Sequence, residues 1–66
     1  MEVWKFQEGT NKVYTESKTE RSIITGITKN KLPNTYYKPE GHKLRAFAWD
    51  WTVTDKELNK IKSRIE

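Results

Sequence analysis

The sequence contains no cysteine and one histidine, His42. Disulfide staples are therefore excluded, and so are zinc sites built from Cys and His within one chain. Glycine is sparse as well: Gly9, Gly26 and Gly41 stand alone, so there is no glycine-rich loop to cradle a phosphate. No apolar run approaches the roughly 20 residues that span a bilayer, and Met1-Glu2-Val3-Trp4 lacks a signal-like apolar stretch. A soluble, cytoplasmic chain with no membrane contact and no cofactor is the expectation. Acidic residues, finally, are nearly missing from one window. Between Thr28 and Arg45, Lys29, Lys31, Lys38, Lys43 and Arg45 face Glu40 alone, five minus one, which equals the net charge of +4. On either side of that window four cations meet four anions.

A length of 66 residues means one domain, near the lower limit at which a hydrophobic core alone holds a fold. The large apolar supply is five Ile, three Leu, three Val, three Trp, two Phe and three Tyr. That suffices for one small core only if most of it is used. The aromatics are spread along the chain and several segments are periodic, which favours a folded chain over a disordered one although 33% of residues are charged.

Val3 to Gln7 alternates, with Trp4 and Phe6 on one face, and Glu8-Gly9-Thr10-Asn11 has the composition of a turn. Lys12 to Glu16 would return as the second arm of a hairpin. Ser17 to Thr28 reads two ways. Ser17 and Glu20 fit a capping box with Ile23, Ile24 and Ile27 on one helical face, whereas Ile23, Thr25 and Ile27 also alternate as a strand would and Gly26 weakens a helix. Helix is preferred, ended by the loop Lys29-Asn30-Lys31-Leu32-Pro33-Asn34. A second hairpin centres on Lys38-Pro39-Glu40-Gly41-His42, with Pro39 at the first central position of a type I turn. That turn would place Tyr36 opposite Leu44, Tyr37 opposite Lys43 and Thr35 opposite Arg45. The long returning strand would set Phe47, Trp49, Trp51 and Val53 on one face and Leu44, Ala46, Ala48 and Asp50 on the other. Thr54 and Glu57 form a further capping box before a helix carrying Leu58, Ile61 and Ile65. The two halves share a loose pattern, and the order ββαββα follows: an α+β fold with one small antiparallel sheet of about four strands, helices on one face and a helix at the C-terminal end.

Catalysis has little support. His42 beside a turn and the hydroxyls of Ser17, Ser22 and Ser63 form no recognisable nucleophile and base pair, so a non-enzymatic chain is expected. Glu16-Ser17-Lys18 matches a Glu-x-Lys fragment of metal-dependent nucleases, yet no aspartate precedes Asp50 to complete a metal site. Phe47, Trp49 and Trp51 admit two readings. As a stacking platform they would hold bases while Tyr37, Lys43 and Arg45 contact phosphates. As core they would supply the burial that so short a chain needs, and this reading is preferred, with Trp51 at the rim as an intermediate case.

The basic window points to an anionic partner. Candidate nucleic-acid contacts are Lys29, Lys31, Tyr37, Lys38, His42, Lys43, Arg45 and Trp51. Solubilising lysines and edge-strand protection explain the same cations without any ligand. A sheet followed by a C-terminal helix resembles, in architecture alone, the small sheet domains that insert strands into a DNA groove, as in the arm-binding domains of tyrosine recombinases. That resemblance implies a DNA-contacting sheet and assigns no residue. The alternative from another class is a small interaction or inhibitor protein that docks exposed aromatics on a protein partner or on a second copy of itself as a homodimer.

Overall fold

Alternating residues on either side of Gly9 form a hairpin of β1 (Glu2–Gln7) and β2 (Thr10–Thr15), with Gly9 at φ 76° in the turn. The computed structural model describes residues 1–29 and 31–65; Asn30, in the loop expected to end the first helix, and Glu66 lie outside the described residues. Ser17 to Thr28 resolves as helix α1 (Lys18–Ile27), in agreement with the capping reading. Ser17 caps it by accepting the Glu20 backbone N–H at 3.2 Å. The return half of the box is relayed: Ser17 N–H donates to Thr15 Oγ1 at 3.0 Å, and Thr15 Oγ1 donates to the Glu20 carboxylate at 2.5 Å. The relay ties the end of β2 to the start of α1.

Strands β3 (Asn34–Glu40) and β4 (Lys43–Thr54) form the second hairpin, and helix α2 (Asp55–Ile65) follows without a linker. At this boundary the capping box is complete. Glu57 N–H donates to Thr54 Oγ1 at 3.2 Å and Thr54 N–H donates to the Glu57 carboxylate at 3.0 Å. The element order is ββαββα and the sheet order β1-β2-β4-β3, every neighbouring pair antiparallel. No helix of the described residues is long and apolar enough to cross a membrane.

The expected geometry of the second hairpin needs correction at two points. The turn is tighter: Glu40 pairs with Lys43 and Pro39 with Leu44, which leaves Gly41 and His42 as a two-residue loop. Gly41, at φ 63°, supplies the left-handed first position that a tight hairpin of this length demands. Pro39, instead of starting the turn, sits in β3, an edge strand where a missing N–H is tolerated. The second correction is a bulge. Tyr36 faces Ala48 while Tyr37 faces Ala46, so Phe47 is an extra residue with no partner. Strict alternation therefore fails across Ala46 to Ala48. Ala46, expected on the face away from the helices, packs against the core.

Past the bulge the alternation holds. Trp49, Trp51 and Val53 turn toward the helices and join Val13 of β2, Ile24 of α1, and Leu58 and Ile61 of α2 in one buried cluster. Trp49 retains 4% exposure and Trp51 1%, so the core reading of these rings holds and the stacking platform does not. Arg21 of α1 stacks its guanidinium 4.9 Å from the Trp49 ring centroid. Asn11, also buried, donates to the Asp55 carboxylate at 2.7 Å and fixes the start of α2 over β2.

Truncating Trp51 to Ala removes the largest fully buried side chain, at a cost of about 3 to 5 kcal/mol. A chain of this size has about 3 to 10 kcal/mol in total. Trp51→Ala should therefore lose at least about a third of the stability and its urea midpoint should fall sharply, read by circular dichroism at 25 °C; an unchanged urea midpoint would contradict the packing described.

Candidate nucleic-acid interface

Pairing between β2 and β4 begins at Trp49, so Lys43 to Ala48 pair with β3 only. That part of the hairpin is a two-stranded ribbon of about 20 Å at the usual rise per residue, contributing to a molecule 40 Å long in its greatest dimension. The residues Lys38, Pro39, Glu40, Lys43, Leu44 and Arg45 are all exposed, with Lys38, Glu40, Lys43 and Arg45 charged and the cross-strand pair Pro39 and Leu44 left in solvent. Tyr37 and His42 are exposed on the same ribbon. Lys38 pairs directly with Arg45 across the two strands, which brings both cations to one position. Arg45 Nη1 contacts the Glu40 carboxylate at 3.1 Å with both side chains more than half exposed, and Lys38 Nζ lies 5.8 Å from the Phe47 ring centroid. Beside them a recess of about 270 Å³ is lined by Glu16, Lys18, Lys38, Arg45, Phe47 and Trp49.

Five of the eight candidate contacts thus share the ribbon: Tyr37, Lys38, His42, Lys43 and Arg45. The other three do not. Trp51, expected at the rim, is corrected to core: its 1% exposure leaves no ring face for a base. The reason is its register opposite Val13, on the side of the sheet that both helices cover. Lys31 is engaged at the surface of the body instead, where Nζ donates to the Thr52 carbonyl at 3.1 Å and to the Glu57 carboxylate at 3.3 Å. Lys29 lies at the far end of α1, at φ 56°, beside Lys60 and Arg64 of α2.

An exposed aromatic group on the opposite side of the sheet escaped the sequence reading. Because Val3 and Val13 pack inward, Trp4, Lys12 and Tyr14 face outward. Trp4 is 47% and Phe6 58% exposed. Lys12 Nζ lies 5.3 Å from the Phe6 ring centroid and 3.7 Å from the Asp50 carboxylate. Asp50 is buried at the centre of this face. It accepts from Asn34 Nδ2 at 2.9 Å and from the Tyr36 hydroxyl, and the Tyr14 and Tyr36 rings meet at 6.0 Å and 58°. The hydrogen bond to Asp50, then desolvation, then the carboxylate charge raise the Tyr36 phenol above its ordinary 10.0. Burial and then the Glu16 charge raise that of Tyr14. The signal for this face was present in the pairing of Trp4 with Phe6 on one side of β1. What it lacked was the side of the sheet on which the helices pack.

Among the described residues no three His, Cys, Asp or Glu side chains converge as a metal site would require. No protein-family model matches the chain, and neither a curated protein nor a solved structure shows significant similarity to it.

The Thr54 backbone N–H, with the Lys31 ammonium adding to it, holds the Glu57 carboxyl below its ordinary 4.5. Its charged form is favoured by folding, so this contribution is present above 4.5 and is lost as pH falls through the depressed value. Glu57→Gln should lower the urea midpoint most above pH 4.5, and the gap to the unaltered chain should close at lower pH. A gap independent of pH would show that the carboxylate charge is irrelevant to the cap.

Proposed function

We propose that the chain is a non-enzymatic nucleic-acid-binding domain that presents the β3–β4 ribbon to the phosphates of duplex DNA. Support comes chiefly from one observation: Lys38, Lys43 and Arg45 lie together on an exposed two-stranded ribbon that carries only Glu40 as a counter-charge. A ribbon of this width enters the B-form major groove, about 12 Å wide, whereas the major groove of A-form RNA is too narrow for it. The exposed Arg45–Glu40 pair is weak in water and exchanges readily for an arginine–phosphate contact. Contacts of this kind give affinity and orientation with little sequence information. Lys29, Lys31 and Trp51 are not part of the surface.

A second reading has its own observation. The outward face bearing Trp4 and Phe6 places large aromatics in water in a chain with few to spare, as a protein interface or a homodimer contact would. Its neighbouring charges, Glu2, Lys12 and Asp50, give no positive excess. Salt separates the two, because binding through Trp4 and Phe6 would change little with ionic strength.

Three phosphate contacts predict a log–log slope of affinity against salt of about −2.7 on duplex DNA. Reversing Lys38, Lys43 and Arg45 to Glu should abolish binding with the circular dichroism spectrum native, and Glu40→Gln should tighten it severalfold. Binding of the triple variant equal to that of the unaltered chain in a fluorescence-anisotropy titration would remove the ribbon from the account.

A further inference from the structure

The ribbon reading does not use the helical side of the molecule, where α1 and α2 lie against one another over the sheet. Between their outer flanks runs a groove of about 590 Å³. Its floor holds Ile23 and Ile27, half-buried and one turn apart on α1. Gly26, exposed beside them, has nothing within 4 Å of the position a Cβ would take, so the groove is open there. The walls are Lys60 and Arg64, one turn apart on α2, and Lys29 at the end of α1. Lys29 reaches this position from a left-handed backbone at φ 56°, its N–H bonded to the Gly26 carbonyl at 3.4 Å. Among the described residues no carboxylate lines the groove, and none of their ion pairs engages these three cations.

We infer that this groove docks an acidic amphipathic helix of a partner protein. Charge complementarity selects the acid: three cations with no carboxylate among the described lining residues impose a positive potential on whatever enters. The apolar floor selects against a phosphate backbone, which has nothing to bury on two isoleucines. The helical period comes from the walls themselves. Ile23 and Ile27 form one i, i+4 row and Lys60 and Arg64 a second, so a helix laid between them meets apolar anchors on one side and cations along its flank. Leucines of the partner would cover Ile23 and Ile27 while glutamates one turn apart meet Lys60 and Arg64. Ser22, on the rim, adds a hydroxyl toward the partner's polar flank.

The probe is a synthetic acetylated peptide of about four turns, with leucines at i, i+4 and i+7 and glutamates on the flanking positions. It is titrated into the ¹⁵N-labelled chain beside a scrambled peptide of identical composition. Shift changes should concentrate on amides 22–29 and 60–65 and spare 38–45, and the scrambled peptide should bind at least fivefold more weakly. The exposed double change Lys60→Glu with Arg64→Glu should weaken binding tenfold or more. Gly26→Leu, which fills open space at an ordinary helical φ, should do the same without charge. Charge reversal on the ribbon should leave peptide binding unaltered, so failure here and failure of the DNA reading are separable. Equal binding of the two peptides, shifts centred elsewhere, no shifts at millimolar peptide, or stronger groove shifts from duplex DNA would each overturn the inference.

Discussion

The burial of Trp49 and Trp51 between the sheet and both helices is the interaction on which everything else depends. An aromatic of this size buries about 150 to 250 Å², and at about 25 cal/mol per Å² each ring contributes about 4 to 6 kcal/mol before entropy is counted. No other pair of side chains in the chain approaches that. The isoleucine faces of the helices are narrow, and they gain a core only by closing over these rings. The polar contacts around the rim then orient what the rings hold. Asn11 with Asp55, Lys31 with Thr52 and Glu57, and Thr15 with Glu20 each join a strand or loop to a helix start. Each is a short-range directional contact, and each acts where the apolar cluster ends.

Asp50 is set between the two tryptophans and therefore emerges on the opposite side, at a position the core fixes. A buried carboxylate without partners would be costly, and it is tolerated here because Lys12, Asn34 and Tyr36 satisfy it. Those partners come from β2 and β3, so one residue of β4 fastens strands on both sides of itself. Beyond Asp50 and the bulge at Phe47 neither device continues. The β3–β4 ribbon leaves the body with one hydrogen-bonded neighbour and almost no buried side chain, and such segments sit at the low-stability end of a structure. Exposed backbone edges there would invite pairing with other chains. Pro39 and Lys38 on β3 oppose it.

The fold was legible in the sequence wherever local chemistry and periodicity agreed. The helix after Ser17 and the inward side of the row Trp49, Trp51, Val53 were preferred readings among two, whereas the capping box at Thr54, Gly9 and Gly41 near their turns, and the shared face of that row needed no knowledge of neighbours. Three features required it. The bulge at Phe47 is a property of the pairing between β3 and β4, and no residue in Ala46-Phe47-Ala48 announces it. The displacement of the turn from Pro39 onto Gly41-His42 follows from the same pairing, since Pro39 suits an edge strand as well as it suits a turn. The exposure of Trp4 and Phe6 depends on which side of the sheet the helices choose, and that choice is made by Val3, Val13 and the β4 tryptophans together. For the candidate site the limit was sharper: side-chain type identified the cations, and only the coordinates separated those already engaged from those that face solvent.

Adjacency along the chain is a poor guide to adjacency of charge. The basic window from Thr28 to Arg45 is continuous in sequence, yet the loop through Pro33 carries it from the end of α1 across to β3, so its cations part company. Lys29 joins Lys60 and Arg64, which come from a segment with no net charge, and a positive groove arises from residues 31 and more positions apart. Lys31 is neutralised locally by Glu57. Lys38, Lys43 and Arg45 remain on the ribbon, with Glu40 as their neighbour. The two clusters stand on different elements, the ribbon cations on β3 and β4 and the groove cations on α2 and beyond the end of α1. The excess of positive charge is thus divided between two modest surfaces of different character. One is a projecting ribbon that sets Lys38, Lys43 and Arg45 beside Glu40. The other is concave with an apolar floor, suited to side chains that arrive with hydrophobic anchors of their own.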